Sequence, residues 1–204
     1  TNLYLEDWSG GMESSPEFVF GMMDALRCEP IARFILPDTL GILDPLQTYD
    51  YMRRMIRRYP ECTFEFHAHN DYDLAISDVV AAVLAGCHVI DVTVNGLGER
   101  AGNAPVSSVE AILKDHFNCE MNLDETYLYD ISRLVENYSG IAVAPNKPIV
   151  GESVFTQVAG VHADGDKKDN LYCNDLHPER FGRMREYALG KASGKANVAQ
   201  NLHQ

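Results

Sequence analysis

Short β-prone apolar runs alternate with longer amphipathic stretches through the first part of the chain, and polar loops bearing glycine or proline separate them. The runs Asn2–Leu5, Arg33–Leu36, Thr63–Phe66 and His88–Val94 predict strands. Helices are predicted over Glu17–Arg27, started by Ser14 or Ser15 and Pro16, over Pro45 to about Tyr59, over Leu74–Ala85 and over Val109–Phe117. Gly86 is placed to end the third of these in a left-handed conformation, and Ser107 with Glu110 reads as a capping box for the fourth. Glu6 to Gly11 reads as a polar, flexible turn. Strand, polar loop and helix thus repeat four times at a spacing of roughly 28 residues, as a (β/α) barrel or a doubly wound sheet requires. Four units cannot close an eight-stranded barrel, so residues 1–118 read as a half-barrel or an open sheet.

The pattern then changes. Leu123, Tyr127, Leu128, Ile131, Leu134, Val135 and Tyr138 mark an amphipathic helix over 123–138, and Ala144 to Pro148 a turn or linker. Residues 119–146 form a helical extension and linker, and 147–204 a small satellite subdomain expected to pack on something else, such as another subunit.

Apolar content of 46% and charged content of 23% are ordinary for a globular protein, and 204 residues can bury a sizeable core. A formal net charge of −13 argues against a general nucleic-acid-binding role, because a polyanion would be repelled. The five cysteines are scattered and form no C-x-x-C pair, which reads as reduced thiols in a cytoplasmic protein. Apolar runs stay short of the ~18 residues that span a bilayer, so neither membrane insertion nor a signal peptide is expected. The first strand begins almost at Thr1, as though the chain started mid-fold.

The chemistry concentrates where the third strand ends, in Phe64-Glu65-Phe66-His67-Ala68-His69-Asn70-Asp71. Side chains alternate across a strand, so His67 and His69 point to one side and can lean onto one divalent ion. Asn70 and Asp71 supply N-cap chemistry for the following helix. All four strand ends carry reactive or ligating residue types: Glu6 and Asp7, Asp38 and Thr39, His67 and His69, and Asn95 to Asn103. In a barrel these loops share one rim. Two imidazoles with oxygen donors suit Zn, Mn, Fe or Co, and Mg where a carboxylate and substrate oxygens complete the shell. Asn103 reads either as a further ligand or as a loop-capping amide. Gly96, Gly98 and Gly102 let backbone approach a ligand closely. Arg53, Arg54, Arg57 and Arg58 group on the second helix as a solvated face, with phosphate binding the alternative.

On these residues the chain resembles the metal-dependent Claisen-condensation and lyase superfamily on a TIM barrel, which includes 2-isopropylmalate, homocitrate and citramalate synthases and hydroxymethylglutaryl-CoA lyase. The resembling segments are L-P-D-T-L-G (36–41), H-A-H-N-D (67–71), N-G-L-G-E-R-A-G-N (95–103), P-N-K-P (145–148), G-V-H-A-D-G (160–165) and L-G-K-A-S-G (189–194). The resemblance implies an α/β fold: the last four βα units of a (β/α)8 TIM barrel, followed by a small α-rich satellite subdomain. It implies His67 and His69 as ligands to a divalent metal (Mn, Zn or Mg), with Asn103 beside them. Thr39 would hydrogen-bond the carboxylate of a 2-oxo acid, and Glu6 with Asn95, Gly96 and Gly98 would lie near acetyl-CoA. His162, donated to the partner's barrel in a homodimer, would belong to the acid/base set with Tyr172, Tyr187 being the alternative tyrosine.

The glycine-rich loop holds no cysteine, where the lyase branch carries a catalytic one, which favours the synthase branch. The family's first-strand Arg and acidic metal ligand have no matching segment here. The loop and L-G-K-x-S-G segments look most like the 2-isopropylmalate branch, which implies 2-oxoisovalerate as substrate and a place in leucine biosynthesis. Homocitrate or citramalate synthase is the alternative, and a half-barrel that binds metal or CoA without turnover is the alternative of another class.

Overall fold

The computed structural model describes residues 1–159, 165, 173–191, 193, 194 and 198. The chain divides into two compact units, 1–113 and 114–204.

The first unit holds a parallel sheet of β1 (Asn2–Tyr4), β2 (Arg33–Asp38), β3 (Phe64–Ala68) and β4 (Val89–Asp91) in the order β1-β2-β3-β4. Its helices are α1 (Trp8–Ser14), α2 (Pro16–Leu26), α3 (Pro45–Arg58) and α4 (Ala75–Ala85), and α5 (Val106–Phe117) carries the boundary between the units. Each strand is the neighbour of the next in sequence and the order never reverses. Right-handed crossovers that always step the same way leave every helix on one face. A doubly wound sheet has a reversal and helices on both faces. The winding is therefore that of a barrel, and the alternatives left open by the strand spacing resolve to a partial (β/α)8 barrel.

Alternation along the strands separates two faces. Phe34, Leu36, Phe64 and Phe66 are buried with Met23, Met52, Met55 and Val79 from the helices. Removing each such side chain from water is worth about 2 kcal/mol. Trp8 closes this layer, its ring edge-on to Phe66 and Tyr51 at 6.4 and 6.3 Å between centroids. The opposite face carries Tyr4, Arg33, Glu65 and His67, and Arg33 donates to Glu65 at 2.8 Å.

Local chemistry explains the element ends. Asp44 caps α3 by accepting from the amides of Leu46 and Gln47, Gln47 reaches back to the Asp44 amide, and Pro45 occupies the first turn. Gly86 ends α4 at φ 99, a conformation that costs glycine little. Glu6–Gly11 is not a loop throughout, because α1 starts at Trp8: Trp8, Ser9 and Met12 are buried, and packing overrides a glycine-rich composition. The capping box expected at Ser107 is absent for a related reason. The helix starts at Val106, so Ser107 and Glu110 sit inside it, both buried. The α3 arginines are more than a solvated face: Arg53 donates to the Ala85 carbonyl, and Arg58 pairs with Asp24 and stacks over Phe20.

In the second unit a 3-10 turn (Glu125–Tyr127) leads into α6 (Leu128–Ser139), ended by Gly140 at φ 70. Beyond it, β5 (Thr156–Gln157) and β6 (Glu186–Tyr187) form a short parallel ladder, with a 3-10 turn at Pro178–Phe181 between them. Arg180 holds this unit together. It bonds both carboxylate oxygens of Asp115 at 2.8 Å and Glu125 at 2.7 Å, and Lys114 pairs with the same Glu125. Phe155 and Phe181 stack beside it at 5.9 Å.

Candidate functional site

His67 lies on the polar face near the end of β3, and His69 follows one step beyond the strand. Their Nε2 atoms are 3.3 Å apart. Two nitrogens each about 2.1 Å from one ion are separated by roughly 3.0 to 3.4 Å at right or tetrahedral angles, so the pair has the spacing of a chelate. Its orientation is set from below. In the parallel register His67 is opposite Asp91 on β4, and Asp91 Oδ2 lies 2.8 Å from His67 Nδ1. That contact holds a proton on Nδ1 and leaves Nε2 as a lone pair facing the rim. His69 Nδ1 is buried with no partner. A His69 tautomer with its proton on Nδ1 would offer a second lone pair beside the first. Burial, then the neighbouring His67 and Arg100, push the His69 pKa down and favour the neutral ring, the form that binds metal.

Asn103 stands third at this point. Its Nδ2 is 3.3 Å from His67 Nε2 and donates to the Ala68 carbonyl at 3.3 Å. A half-turn of the amide would present oxygen to the pair at the cost of the Ala68 bond. Among the described residues no group of three or more His, Cys, Asp or Glu side chains is placed to hold an ion. The residues present fit a divalent ion through two imidazoles and an amide, with other ligands to come from elsewhere.

Gly98 and Gly102 serve the loop itself. A Cβ on Gly98 would overlap Asn103 Oδ1, and one on Gly102, at φ 87, would overlap the Gly96 carbonyl. The Asn103 amide donates to that same carbonyl at 3.0 Å. The loop 95–103 therefore folds tightly on itself, with Asn95 at φ 61 and Gly96 at φ 70, and so delivers Asn103 to the histidines.

Thr39 and Glu6 come together. The Thr39 hydroxyl donates to Glu6 Oε1 at 2.9 Å and accepts from the Asp7 amide at 3.0 Å. Asp38, expected among the reactive groups at the rim, is instead fully buried and accepts from the amides of Ile42 and Leu43 at 3.1 Å. Its carboxylate shapes the loop that carries Thr39. His162 and Tyr172 lie outside the described residues, whereas Tyr187 is half-buried on β6. Sequence reasoning missed Asp91 and Arg100. Asp91 carries a signal, an acid ending the strand beside the His-x-His strand. Arg100 carries none, since its partners Asp71 and Thr39 are distant in sequence.

A barrel-wound parallel sheet with an oriented imidazole pair at the carboxyl ends of its strands defines the class: a (β/α)-barrel protein with a metal-competent rim. A family model described as HMGL-like matches residues 6–135, and the chain belongs to that family. It is 40% identical over 182 residues to a homocitrate synthase of Sulfolobus acidocaldarius, covering 89% of this chain and 39% of that protein. A homocitrate synthase of Saccharolobus islandicus is 39% identical over 186 residues, covering 91% of this chain and 40% of the relative. The chain thus spans about two fifths of the length of these curated relatives. Among solved structures, the Bacillus subtilis HMG-CoA lyase superposes with a TM-score of 0.59 at 23% identity, over 66% of this chain and 46% of that one. The hydroxymethylglutaryl-CoA lyase of Pseudomonas aeruginosa also gives 0.59, at 21% identity, over 67% and 46%. These likenesses carry the barrel fold.

Proposed function

We propose that the protein of which these βα units are a part condenses acetyl-CoA with a 2-oxo acid, and that the acid is 2-oxoglutarate, giving homocitrate. The observation that carries the reading is the His67–His69 pair, 3.3 Å apart and oriented by Asp91, on the rim of an HMGL-like barrel. The curated relatives named homocitrate synthase favour 2-oxoglutarate over the 2-oxoisovalerate that the loop motifs suggested.

His67, His69 and Asn103 would hold a divalent ion, which supplies Lewis-acid polarisation of a ketone. Asp91 keeps the His67 lone pair on the rim. The Thr39 hydroxyl has one proton, now given to Glu6, and a substrate carboxylate beside it would compete for that proton. Glu6 and the tight 95–98 loop border the same rim and stand as the proposed acetyl-CoA side. His162 stands as the proposed acid/base group, with Tyr172 or Tyr187 assisting and a homodimer bringing His162 to the partner's barrel. Turnover requires the His162 pKa to lie near working pH.

The test is release of free CoA thiol from acetyl-CoA with added Mn2+, across 2-oxoglutarate, 2-oxoisovalerate and pyruvate. Release with 2-oxoglutarate alone supports the reading, and release only with 2-oxoisovalerate replaces it with 2-isopropylmalate synthesis. A second reading, a metal-binding half-barrel without turnover, is favoured by the two-imidazole donor set among the described residues. Its signature is Mn2+ binding with no thiol release from any acid.

A further inference from the structure

A single hydrogen-bonded chain passes through all four strand-end loops of the first unit. Glu6, after β1, accepts from the Thr39 hydroxyl, after β2. The Thr39 carbonyl accepts from Arg100 Nη2, in the loop after β4, at 2.7 Å. The same guanidinium grips Asp71, after β3, through two parallel bonds, Nε to Oδ1 at 2.7 Å and Nη2 to Oδ2 at 2.9 Å. Asp71 lies two residues beyond His69. The backbone is shaped to allow this meeting. Arg100 adopts φ 53, and Gly41, at φ 58, faces Asp71 so closely that a Cβ would come within 2.9 Å of its amide nitrogen and carboxylate.

Energy does not explain such an arrangement. The Arg100 side chain is 38% exposed and that of Asp71 25%, and ion pairs in that setting contribute at most about 1 kcal/mol to stability. Geometry does explain it. A planar fork that binds one carboxylate bidentately and a carbonyl from another loop fixes the distance between those loops, which a lysine cannot reproduce.

We propose that Arg100 is a positioning residue: through Asp71 and the Thr39 carbonyl it sets where Thr39 stands relative to the His67–His69 pair, and thereby the register in which a 2-oxo acid is held. The inference rests on the reading of the site as a 2-oxo acid site. Metal affinity should depend on it only weakly, because Arg100 bonds neither imidazole nor Asp91 and its charge acts on His69 less than burial and His67 do.

The experiment compares the wild-type chain with Arg100→Ala, Arg100→Lys and Asp71→Ala. It measures Mn2+ binding by calorimetry, 2-oxoglutarate binding to the Mn2+-loaded protein, and amide hydrogen exchange across Thr39–Gly41. Mn2+ affinity is expected to stay within about twofold in every variant. Affinity for 2-oxoglutarate should fall about tenfold or more in Arg100→Ala and Asp71→Ala, with lysine recovering only part. Unchanged 2-oxoglutarate affinity in Arg100→Ala overturns the proposal, as does a parallel loss of Mn2+ affinity. If the wild-type chain binds no 2-oxo acid, the functional reading fails and the exchange data decide whether Arg100 positions Thr39. Faster exchange confined to Thr39–Gly41 in Arg100→Ala then supports it, and equal protection overturns it.

Discussion

Asp91 and His67 stand opposite one another in adjacent parallel strands, Oδ2 to Nδ1 at 2.8 Å. The carboxylate selects the tautomer of the imidazole and aims its free nitrogen at the rim. Replacing Asp91 with Asn removes the anionic acceptor while keeping size and register. Divalent-metal affinity should fall about 10- to 100-fold, with the thermal midpoint nearly unchanged. Calorimetric titration with Mn2+ or Zn2+ beside a thermal melt separates the two effects.

Gly98 is the tightest point of the glycine-rich loop. Gly98→Ala forces Asn103 away from His67, because the added methyl occupies the place of its side-chain oxygen. Weaker metal binding is expected, together with a stability loss of about 1–3 kcal/mol from overpacking. Restored binding in a Gly98→Ala/Asn103→Ala double variant would show that the amide only fills space.

Asp78 on α4 is buried, and its Oδ1 has no partner. Burial, and then the nearby carboxylate of Asp38, raise its pKa from 3.8 to about 7, against the lowering effect of Thr48. The folded state therefore holds a proton that the unfolded state releases. The associated stability is complete below about pH 4 and is lost as pH rises towards and through 7. A shift of that size corresponds to a span on the order of 4 kcal/mol. Asp78→Asn should flatten this part of the stability–pH curve and stabilise the protein at pH 8, as read by urea unfolding at several pH values.

Arg180 neutralises Asp115 and Glu125 in the second unit, and its side chain is only 16% exposed. Arg180→Ala leaves Asp115 without that partner in a site shielded from water. A loss of about 3 kcal/mol is expected for such a broken pair, seen as a lower unfolding temperature in calorimetry.

The first unit was largely legible because its signals are local. The Pro45 helix start, the Gly86 stop and the period-two placement of His67 and His69 each lie within a few residues, and each appears in the fold. What sequence could not supply depends on contacts across the chain. Trp8 is drawn into a helix by Phe66 and Tyr51, against a composition that reads as turn. Asp38 looks reactive in sequence, yet the amides of Ile42 and Leu43 claim it once the loop closes. Arg100 reaches its partners over 29 and 61 residues. Ser107 matched a capping motif, but the helix begins at Val106 and Ser107 lies inside it.

The same-handed winding leaves the sheet with a face that no helix of the first unit covers, and that face carries charge: Arg33 is bonded to Glu65 beside Ile35, with Tyr4 half open to water. Burial and the nearby carboxylates of Asp91, Glu65 and Glu6 already raise the Tyr4 pKa. A hydrocarbon lid would strip water from an ion pair at a cost of several kcal/mol per charge. Any chain that completes the cylinder must therefore bring hydrogen-bonding side chains or carry trapped water into its lumen. A cylinder closed in that way would be wet and charged beneath the histidines.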